Sequence, residues 1–332
     1  MKPVAIYIHQ QRNSWKHKCC DSVIYIHTNQ FDYQSCLCYL QVNFMNQLKL
    51  FIELTRLKKP IGFMLLFWPC AWGLTLAYDF SKNINNYIFY IILFFLGSVL
   101  MRSAGCIVND ISDKEFDKKV FRTKSRPIAS GKISNTLGWI YSLSLCVCAF
   151  LVLINFNYFT IALALSSMPL AFTYPLMKRF TYWPQLFLGI TFNYGIILGW
   201  TSIKGEIDLV PVLLYFGAIF WTLGYDTIYG YQDIKDDEII GVKSTSIKFK
   251  ENPKKFLFMS YLLFVTSLII IGYLEKLNYL FFIGILFVIY HLFFSQILKL
   301  KKNDPLSCLA IFKSNNFLGL IIYINFLINK VL

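Results

Sequence analysis

The fold of this chain is decided by two stretches in which a long apolar run ends in spaced acidic residues, 93-LFFLGSVLMRSAGCIVNDISDKEFD-117 and 219-IFWTLGYDTIYGYQDIKDD-237. A helix needs about 20 predominantly apolar residues to cross a bilayer, and each stretch is the end of such a run. Carboxylates are costly in or beside hydrocarbon. Two groups of them at the ends of apolar runs therefore predict a shared cation site.

The acidic residues of each stretch fall at helical spacings. Residues three, four or seven apart lie on one face of a helix, so each group predicts one acidic face. The first face holds Asp110, Asp113 and Asp117, and the second holds Asp226, Asp233 and Asp237. Two facing carboxylate groups beside lysines and arginines suit Mg²⁺ that bridges a polyanion such as a diphosphate.

The composition sets the class of protein. The 332 residues are 56% apolar and 18% aromatic, and only 15% are charged; the mean hydropathy is +0.52. Soluble globular proteins carry about 25% charged residues, so the chain is predicted to be an integral membrane protein. The predicted spans are 61–79, 88–108, 137–154, 158–176, 184–203, 209–230, 256–274, 277–297 and 309–328.

Positive charge is distributed unevenly along the chain, whose net charge is +14. Lysine and arginine concentrate in 49–59, 109–136, 178–179, 231–255 and 299–313, whereas the other loops hold isolated lysines. Loops on the cytoplasmic side of a membrane carry such an excess. The pattern explains the basic balance without a nucleic-acid partner, and it predicts that both acidic groups face the cytoplasm.

The first 44 residues differ from the rest. They contain four cysteines and three histidines (Cys19, Cys20, Cys36, Cys38, His9, His17 and His27), but no C-x-x-C pair and no long apolar run. They therefore resemble neither a zinc site nor a secretory signal, and two aspartates with one arginine make a poor transit peptide. We predict that 1–44 is a dispensable leader, either unstructured or not part of the working chain, and that 45–332 is the membrane domain.

Four motifs resemble the UbiA-type membrane prenyltransferases: 101-MRSAGCIVND-110, 122-RTKSRP-127, 225-YDTIY-229 and 233-DIKDD-237. The segments 174-YPLMKR-179 and 56-RLKKPIG-62 are similar to the branch of that family that acts on 4-hydroxybenzoate. The resemblance covers about 46–330. Both acidic motifs occur in order at the ends of predicted spans, which makes the resemblance specific.

The resemblance implies an all-α bundle of about nine transmembrane helices around a central cavity, open to the cytosol at one end and to lipid at the side. It implies transfer of a polyprenyl group from a polyprenyl diphosphate to the ring of 4-hydroxybenzoate, ortho to the hydroxyl. This is a membrane step of ubiquinone biosynthesis in which Mg²⁺ assists departure of the diphosphate.

The resemblance also implies roles for individual residues. Metal binding is expected at Asp113, Asp117, Asp233 and Asp237, with Asp236 completing the metal shell. These four aspartates and Tyr229 are the expected catalytic groups. Substrate contacts are expected at Asn109, Asp110, Arg102, Arg122, Arg126, Arg179, Asp226, Lys243 and Arg56. For the basic residues, a structural ion pair or the general excess of charge on the cytoplasmic side is the alternative explanation.

Two other functions stay open at this point. The same reaction could use another acceptor, such as haem, naphthoate or homogentisate. An ion-coupled transporter would also need membrane carboxylates, but near the bilayer midplane. The weak transit character of 1–44 favours a bacterial inner membrane with the site facing the cytoplasm, and the mitochondrial inner membrane is the alternative.

Overall fold

The computed structural model describes residues 33–332, which are mainly helical and, within that range, form no β-strand. The predicted all-α class is confirmed. A first helix spans Tyr33–Leu54, so the end of the predicted leader is helical, whereas residues 1–32 lie outside the described range. The proposal that 1–44 is dispensable stays a prediction. The cavities and sites below all belong to the unit Leu54–Leu332.

Nine helical segments follow in the described chain, and each overlaps one predicted span. Spans one to nine are Ile61–Ala77, Ile84–Ser112, Asn135–Leu153, Tyr158–Phe180, Pro184–Lys204, Leu209–Gly230, Pro253–Leu274, Tyr279–Leu298 and Pro305–Val331. Eight of them are long and apolar enough to cross a membrane. The first has 17 residues and is about 26 Å long, close to the ~30 Å of a hydrocarbon core.

Several spans are interrupted. The fourth consists of Tyr158–Ser166, Met168–Thr173, a 3₁₀ turn at Tyr174–Leu176 and Met177–Phe180. The fifth divides into Pro184–Asn193 and Gly195–Lys204, and the eighth continues from Tyr279–Ile289 into a π-helix at Tyr290–Leu298. Prolines explain the breaks in the fourth span, because Pro169 and Pro175 have no amide hydrogen to donate. Short helices at Lys114–Asp117, Ile234–Ile240 and Thr245–Lys248 lie between spans.

Polar residues set where spans begin. The side chains of Asn83, Ser134, Asn157 and Asn278 each accept a hydrogen bond from a backbone N–H in the first turn of the following helix. Such caps satisfy amide groups that have no partner within the helix. Each cap directly precedes the helix that carries an apolar run, which is why hydropathy alone located the spans closely.

The first span lies at the centre of the unit. Its residues from Phe67 to Ala77 are all buried, and it packs against the second, fifth and ninth spans. The first and fifth spans approach each other closely at two glycines. A Cβ added to Gly73 would lie 2.1 Å from the Ile196 carbonyl oxygen, and a Cβ added to Gly199 would lie 2.3 Å from the Cys70 carbonyl oxygen. Small residues permit this approach of two backbones.

The third and fourth spans are packed differently. The third packs mainly against the second and the fourth against the fifth, while these two neighbours in sequence make few contacts with each other. Few of their residues are buried within the bundle. Residues of both spans line the same apolar cavity, described below.

Candidate active site

A polar cavity of about 330 Å³ opens where the second, fourth and sixth spans end. Its lining includes Asn109, Asp113 and Asp117 from one motif and Asp226, Asp233 and Asp237 from the other. The two sequence motifs, more than a hundred residues apart, thus meet in one cavity. The predicted meeting of two carboxylate groups agrees with this placement.

Continuous helical hydrogen bonding positions the first acidic row. The second span ends at Ser112, yet the Asp113 amide donates to the Asn109 carbonyl at 2.8 Å and the Asp117 amide donates to that of Asp113 at 2.8 Å. Steps of four residues keep the three side chains on one face. The row therefore turns Asn109, rather than Asp110, toward the cavity.

The second acidic row is built from two helices. Asp226 lies in the sixth span, and Asp233 precedes the helix Ile234–Ile240 that carries Asp237. The Asp237 amide donates to the Asp233 carbonyl at 2.9 Å. Gly241, with φ of +79°, ends this helix in a left-handed conformation that glycine adopts readily. Asp236 does not line the cavity, so its placement gives no support to the metal role predicted for it.

Asp110 is turned inward instead. It is 2% exposed and pairs with Arg56 at 2.5 Å and with Arg126 at 3.1 Å. Arg126 also binds Asp117 at 2.7 Å. Arg56 has φ of +57°, a conformation that arginine rarely adopts. Asp110 therefore acts as a buried anchor that holds two arginines beside the cavity, and does not face the cavity itself.

Arg122 connects the two sides of the cavity. Its guanidinium forms a bidentate ion pair with Asp233, and its Nη1 donates to the Tyr229 hydroxyl at 3.3 Å. Bidentate pairing of arginine with a carboxylate fixes the geometry of both groups. Arg122, which the sequence predicted to contact a substrate, is thus held within the polar cavity together with Tyr229.

Lys178 and Arg179 are adjacent in sequence but have different surroundings. Lys178 lines the cavity and pairs with Asp113 at 2.7 Å. Arg179 lies outside the cavity lining, and its Nη2 donates to the Ser112 carbonyl at the end of the second span at 2.7 Å. A cation at a helix C-terminus is stabilising in itself. The structure therefore brings Lys178, and not the predicted Arg179, to the site.

Lys243 lies at the edge of the same cavity. Its backbone amide donates to the Lys178 carbonyl at 2.8 Å, and its Nζ donates to the Phe180 carbonyl at 3.3 Å. The loop after the second acidic motif is thereby tied to the end of the fourth span. This contact agrees with a place for Lys243 near the site.

An apolar cavity of about 450 Å³ adjoins the polar one. It is lined by the first to fifth spans, and Arg102, Tyr174 and Phe192 line both cavities. Arg102 makes no ion pair with any residue of the described chain; its Nε is buried without a hydrogen-bond partner, and its guanidinium lies 5.4 Å from the Phe192 ring centroid. A charged group in a membrane span normally has a partner. Arg102 is therefore available to a ligand at the junction.

The carboxylates of the polar cavity are suited to a cation. Burial raises the pKa of Asp113 despite the Lys178 ammonium beside it, and burial followed by the charge of Asp233 raises the pKa of Asp237 to about 6. Asp113 Oδ1 is buried and has no hydrogen-bond partner in the described chain. A positive ion placed here would stabilise the buried negative charges and would give the Asp113 oxygen a partner.

Magnesium fits this donor set. Among residues 33–332, no three Asp, Glu, His or Cys side chains converge closely enough to form a complete protein cage. Mg²⁺ usually keeps water and binds one or two carboxylates together with substrate phosphates. Separated carboxylate rows with an unsatisfied oxygen are therefore consistent with a metal that needs a phosphate to complete its shell.

Sequence reasoning missed Lys178 and gave no role to Phe192. Tyr174 and Lys178 both line the polar cavity, and a spacing of four could have selected Lys178 over Arg179. No sequence signal marked Phe192, because one phenylalanine among 32 is indistinguishable from lipid-facing and packing residues.

Comparison with known proteins gives consistent results. The profile of the UbiA prenyltransferase family matches residues 66–321. The mitochondrial 4-hydroxybenzoate polyprenyltransferase of Bos taurus is 44% identical over 282 residues, covering 85% of this chain and 75% of that protein. The protein of the same name from Homo sapiens is 42% identical over 282 residues, with the same coverage of 85% and 75%.

A solved structure shares the fold. A UbiA homolog from Archaeoglobus fulgidus bound to GPP and Mg²⁺ superposes with a TM-score of 0.61 at 16% sequence identity. The match covers 84% of this chain and 99% of that one. At this identity the likeness concerns the helical bundle alone.

Proposed function

Since the chain belongs to the UbiA prenyltransferase family, we propose that it transfers a polyprenyl group from a polyprenyl diphosphate to the ring of 4-hydroxybenzoate. One observation supports this most directly: a cavity lined by acidic and basic groups joins an apolar cavity at Arg102, Tyr174 and Phe192. A substrate with a polyanionic head and a long apolar tail matches that pair of cavities. The two relatives described above carry the name of this reaction.

The head group belongs in the polar cavity with Mg²⁺, which neutralises diphosphate charge and so assists its departure. Asp113, Asp117, Asp233 and Asp237 would hold the metal. The named complex of the Archaeoglobus fulgidus homolog contains both a prenyl diphosphate and Mg²⁺. Asp113 Oδ1, which is buried without a hydrogen-bond partner in the described chain, supports the same assignment.

Cations already paired with these aspartates are the groups that meet the diphosphate. Arg122, Arg126 and Lys178 bind Asp233, Asp117 and Asp113 respectively. Held in the lining of the polar cavity, these three cations would bind phosphate oxygens of a head group placed there. Their charge stabilises the departing diphosphate, because it is fixed in advance where negative charge develops.

The bond that breaks is the one between the allylic carbon and the diphosphate oxygen, and the electron pair leaves with the oxygen. The ring carbon ortho to the hydroxyl of 4-hydroxybenzoate then bonds to the allylic carbon, and its proton passes to a carboxylate of the polar cavity or to the departing diphosphate. The apolar cavity beside the junction excludes water from the allylic cation. Phe192 and Tyr174 provide aromatic surface at that point.

Arg102 is the best-placed group for the carboxylate of the acceptor. It lies at the junction where the allylic carbon must sit, and no described residue forms an ion pair with it. Arg179, which the sequence predicted to contact a substrate, binds the Ser112 carbonyl outside the cavity. A carboxylate para to the hydroxyl would then orient the ring toward the second acidic row.

Replacement of Arg102 with alanine is expected to lower kcat/KM for 4-hydroxybenzoate about 10- to 100-fold, the effect of losing one charged hydrogen-bond partner. The KM for the polyprenyl diphosphate should change little. Steady-state kinetics with each substrate varied separately would measure both. Arg179→Ala serves as the matched control and should alter the acceptor KM only slightly; a rise in the diphosphate KM instead would assign Arg102 to the head group.

The position of the carboxylates along the spans disfavours an ion-coupled transporter. Such a protein would carry carboxylates near the middle of its spans. Here Asp113, Asp117, Asp233 and Asp237 all lie beyond the ends of the second and sixth spans. The charges are therefore placed to receive a head group at the membrane surface.

The protein is a multi-pass membrane protein. The sequence favoured a bacterial inner membrane, with a mitochondrial membrane as the alternative. Both relatives are mitochondrial by name, and we adopt the mitochondrial location for this chain. Cell fractionation in the organism of origin decides between the two.

Prenyl transfer in isolated membranes tests the function. Membranes that contain the protein are supplied with 4-hydroxybenzoate and a polyprenyl diphosphate, with or without Mg²⁺, and ring-prenylated acid is quantified by mass spectrometry. Product that depends on Mg²⁺ is the expected result. Absence of product from well-inserted protein would contradict the acceptor assignment, and naphthoate and homogentisate would be tested next.

A further inference from the structure

Two glycines in the second span have no packing reason to be glycine. At every other glycine of the nine described spans, an added Cβ would lie 3.1 Å or less from an atom of a neighbouring residue. At Gly97 and Gly105 it would meet nothing within 4 Å. A glycine inside a helix costs about 1 kcal/mol relative to alanine. Close packing therefore does not account for glycine at these two positions, where the absent side chain leaves empty space.

Both glycines line the apolar cavity, as does Met101 midway between them. Steps of four residues place the three on one face of the helix. Gly97 and Gly105 are separated by eight residues, or about 12 Å along the helix axis. The two glycines therefore leave space on this wall of the cavity on either side of Met101.

The direction of this wall follows from the rest of the second span. Asn109, at its acidic end, lines the polar cavity, and Leu93, near its other end, lines the apolar cavity. Arg102, whose buried Nε lacks a partner, lies between the two glycines. Gly105 is thus close to the position of the head group, whereas Gly97 lies about 18 Å from Asn109 along the axis.

We propose that Gly97 determines which prenyl chains the enzyme accepts, by keeping the far part of the apolar cavity open to long isoprenoid tails. This inference rests on the proposed function. A side chain at Gly97 would obstruct only tails that extend past it, whereas one at Gly105 would obstruct every prenyl donor. The third and fourth spans both line this cavity and make few contacts with each other, so a long tail would leave between them into the bilayer.

Gly97→Leu tests the inference when prenyl transfer is measured with dimethylallyl diphosphate and with geranylgeranyl or longer diphosphates. The readout is the ratio of kcat/KM for the long donor to that for the short donor, which does not depend on the fraction of folded protein. The leucine side chain would occupy space that the tail of a long donor needs. The cost of such overpacking predicts a decrease of about 10- to 100-fold in this ratio. Gly97→Ala should give a smaller decrease.

Two comparisons make the result specific. Ser144→Leu adds similar bulk at an exposed position of the third span outside the cavity and should leave the ratio unchanged. Gly105→Leu should slow both donors. An unchanged ratio in Gly97→Leu, or equal loss with both donors, overturns the inference. Absence of transfer by the unsubstituted protein with every donor would instead contradict the proposed function.

Discussion

Asp113→Asn and Asp233→Asn should each lower prenyl transfer by about 100- to 1000-fold, while the protein remains in the membrane. The magnitude is that of removing one preorganised group that stabilises charge in a transition state. Asp113 and Asp233 come from different acidic rows of the same cavity. Asparagine keeps nearly the same shape but removes the negative charge, so the loss reports on charge rather than on packing.

The assay uses isolated membranes with matched amounts of inserted protein, and Mg²⁺ is titrated for each variant. A higher Mg²⁺ requirement in both variants is expected, because each row contributes to holding the metal. Asp236→Asn is the control: it belongs to the same motif but lies outside the cavity lining, and its activity should change less than tenfold. Full activity in both Asp113→Asn and Asp233→Asn would refute a metal site shared by the two rows.

Gly73→Ala is expected to produce the largest loss of stability among single methyl additions in the bundle. The new Cβ would lie 2.1 Å from the Ile196 carbonyl oxygen, and no rotamer change can relieve a contact between two backbones. The first and fifth spans would have to separate. Overpacking typically costs about 1–3 kcal/mol and sometimes more, so we expect a loss of roughly 3 kcal/mol, read as a lower Tm in detergent.

Gly97→Ala provides the matched comparison for this loss. It adds the same methyl group to a span, but into space with no atom within 4 Å. Its helix propensity should raise stability by up to about 1 kcal/mol. If Gly73→Ala unfolds at the same temperature as Gly97→Ala, the close approach of the first and fifth spans is not what stabilises the bundle.

The overall organisation was predictable because it depends on local composition. The bounds of the nine predicted apolar runs agree with those of the nine described spans within a few residues. A helix in lipid must form all its backbone hydrogen bonds internally and is depleted of charged side chains, so its apolar run marks its length. The two acidic motifs were recognised for the same reason. Carboxylates at the ends of apolar helices, such as Asp113 and Asp233, have few explanations other than a cation or a polyanion with its metal.

The sequence by itself therefore determined the class, the spans, the family and the meeting of two acidic motifs. Only the tertiary structure decided which of two adjacent polar residues faces the site. Asn109 lines the cavity, whereas Asp110 pairs with Arg56. Lys178 lines the cavity, whereas Arg179 binds the Ser112 carbonyl outside it. Consecutive residues point about 100° apart on a helix, and both members of each pair are polar. The orientation is thus set by what each helix packs against, and this depends on residues distant in sequence.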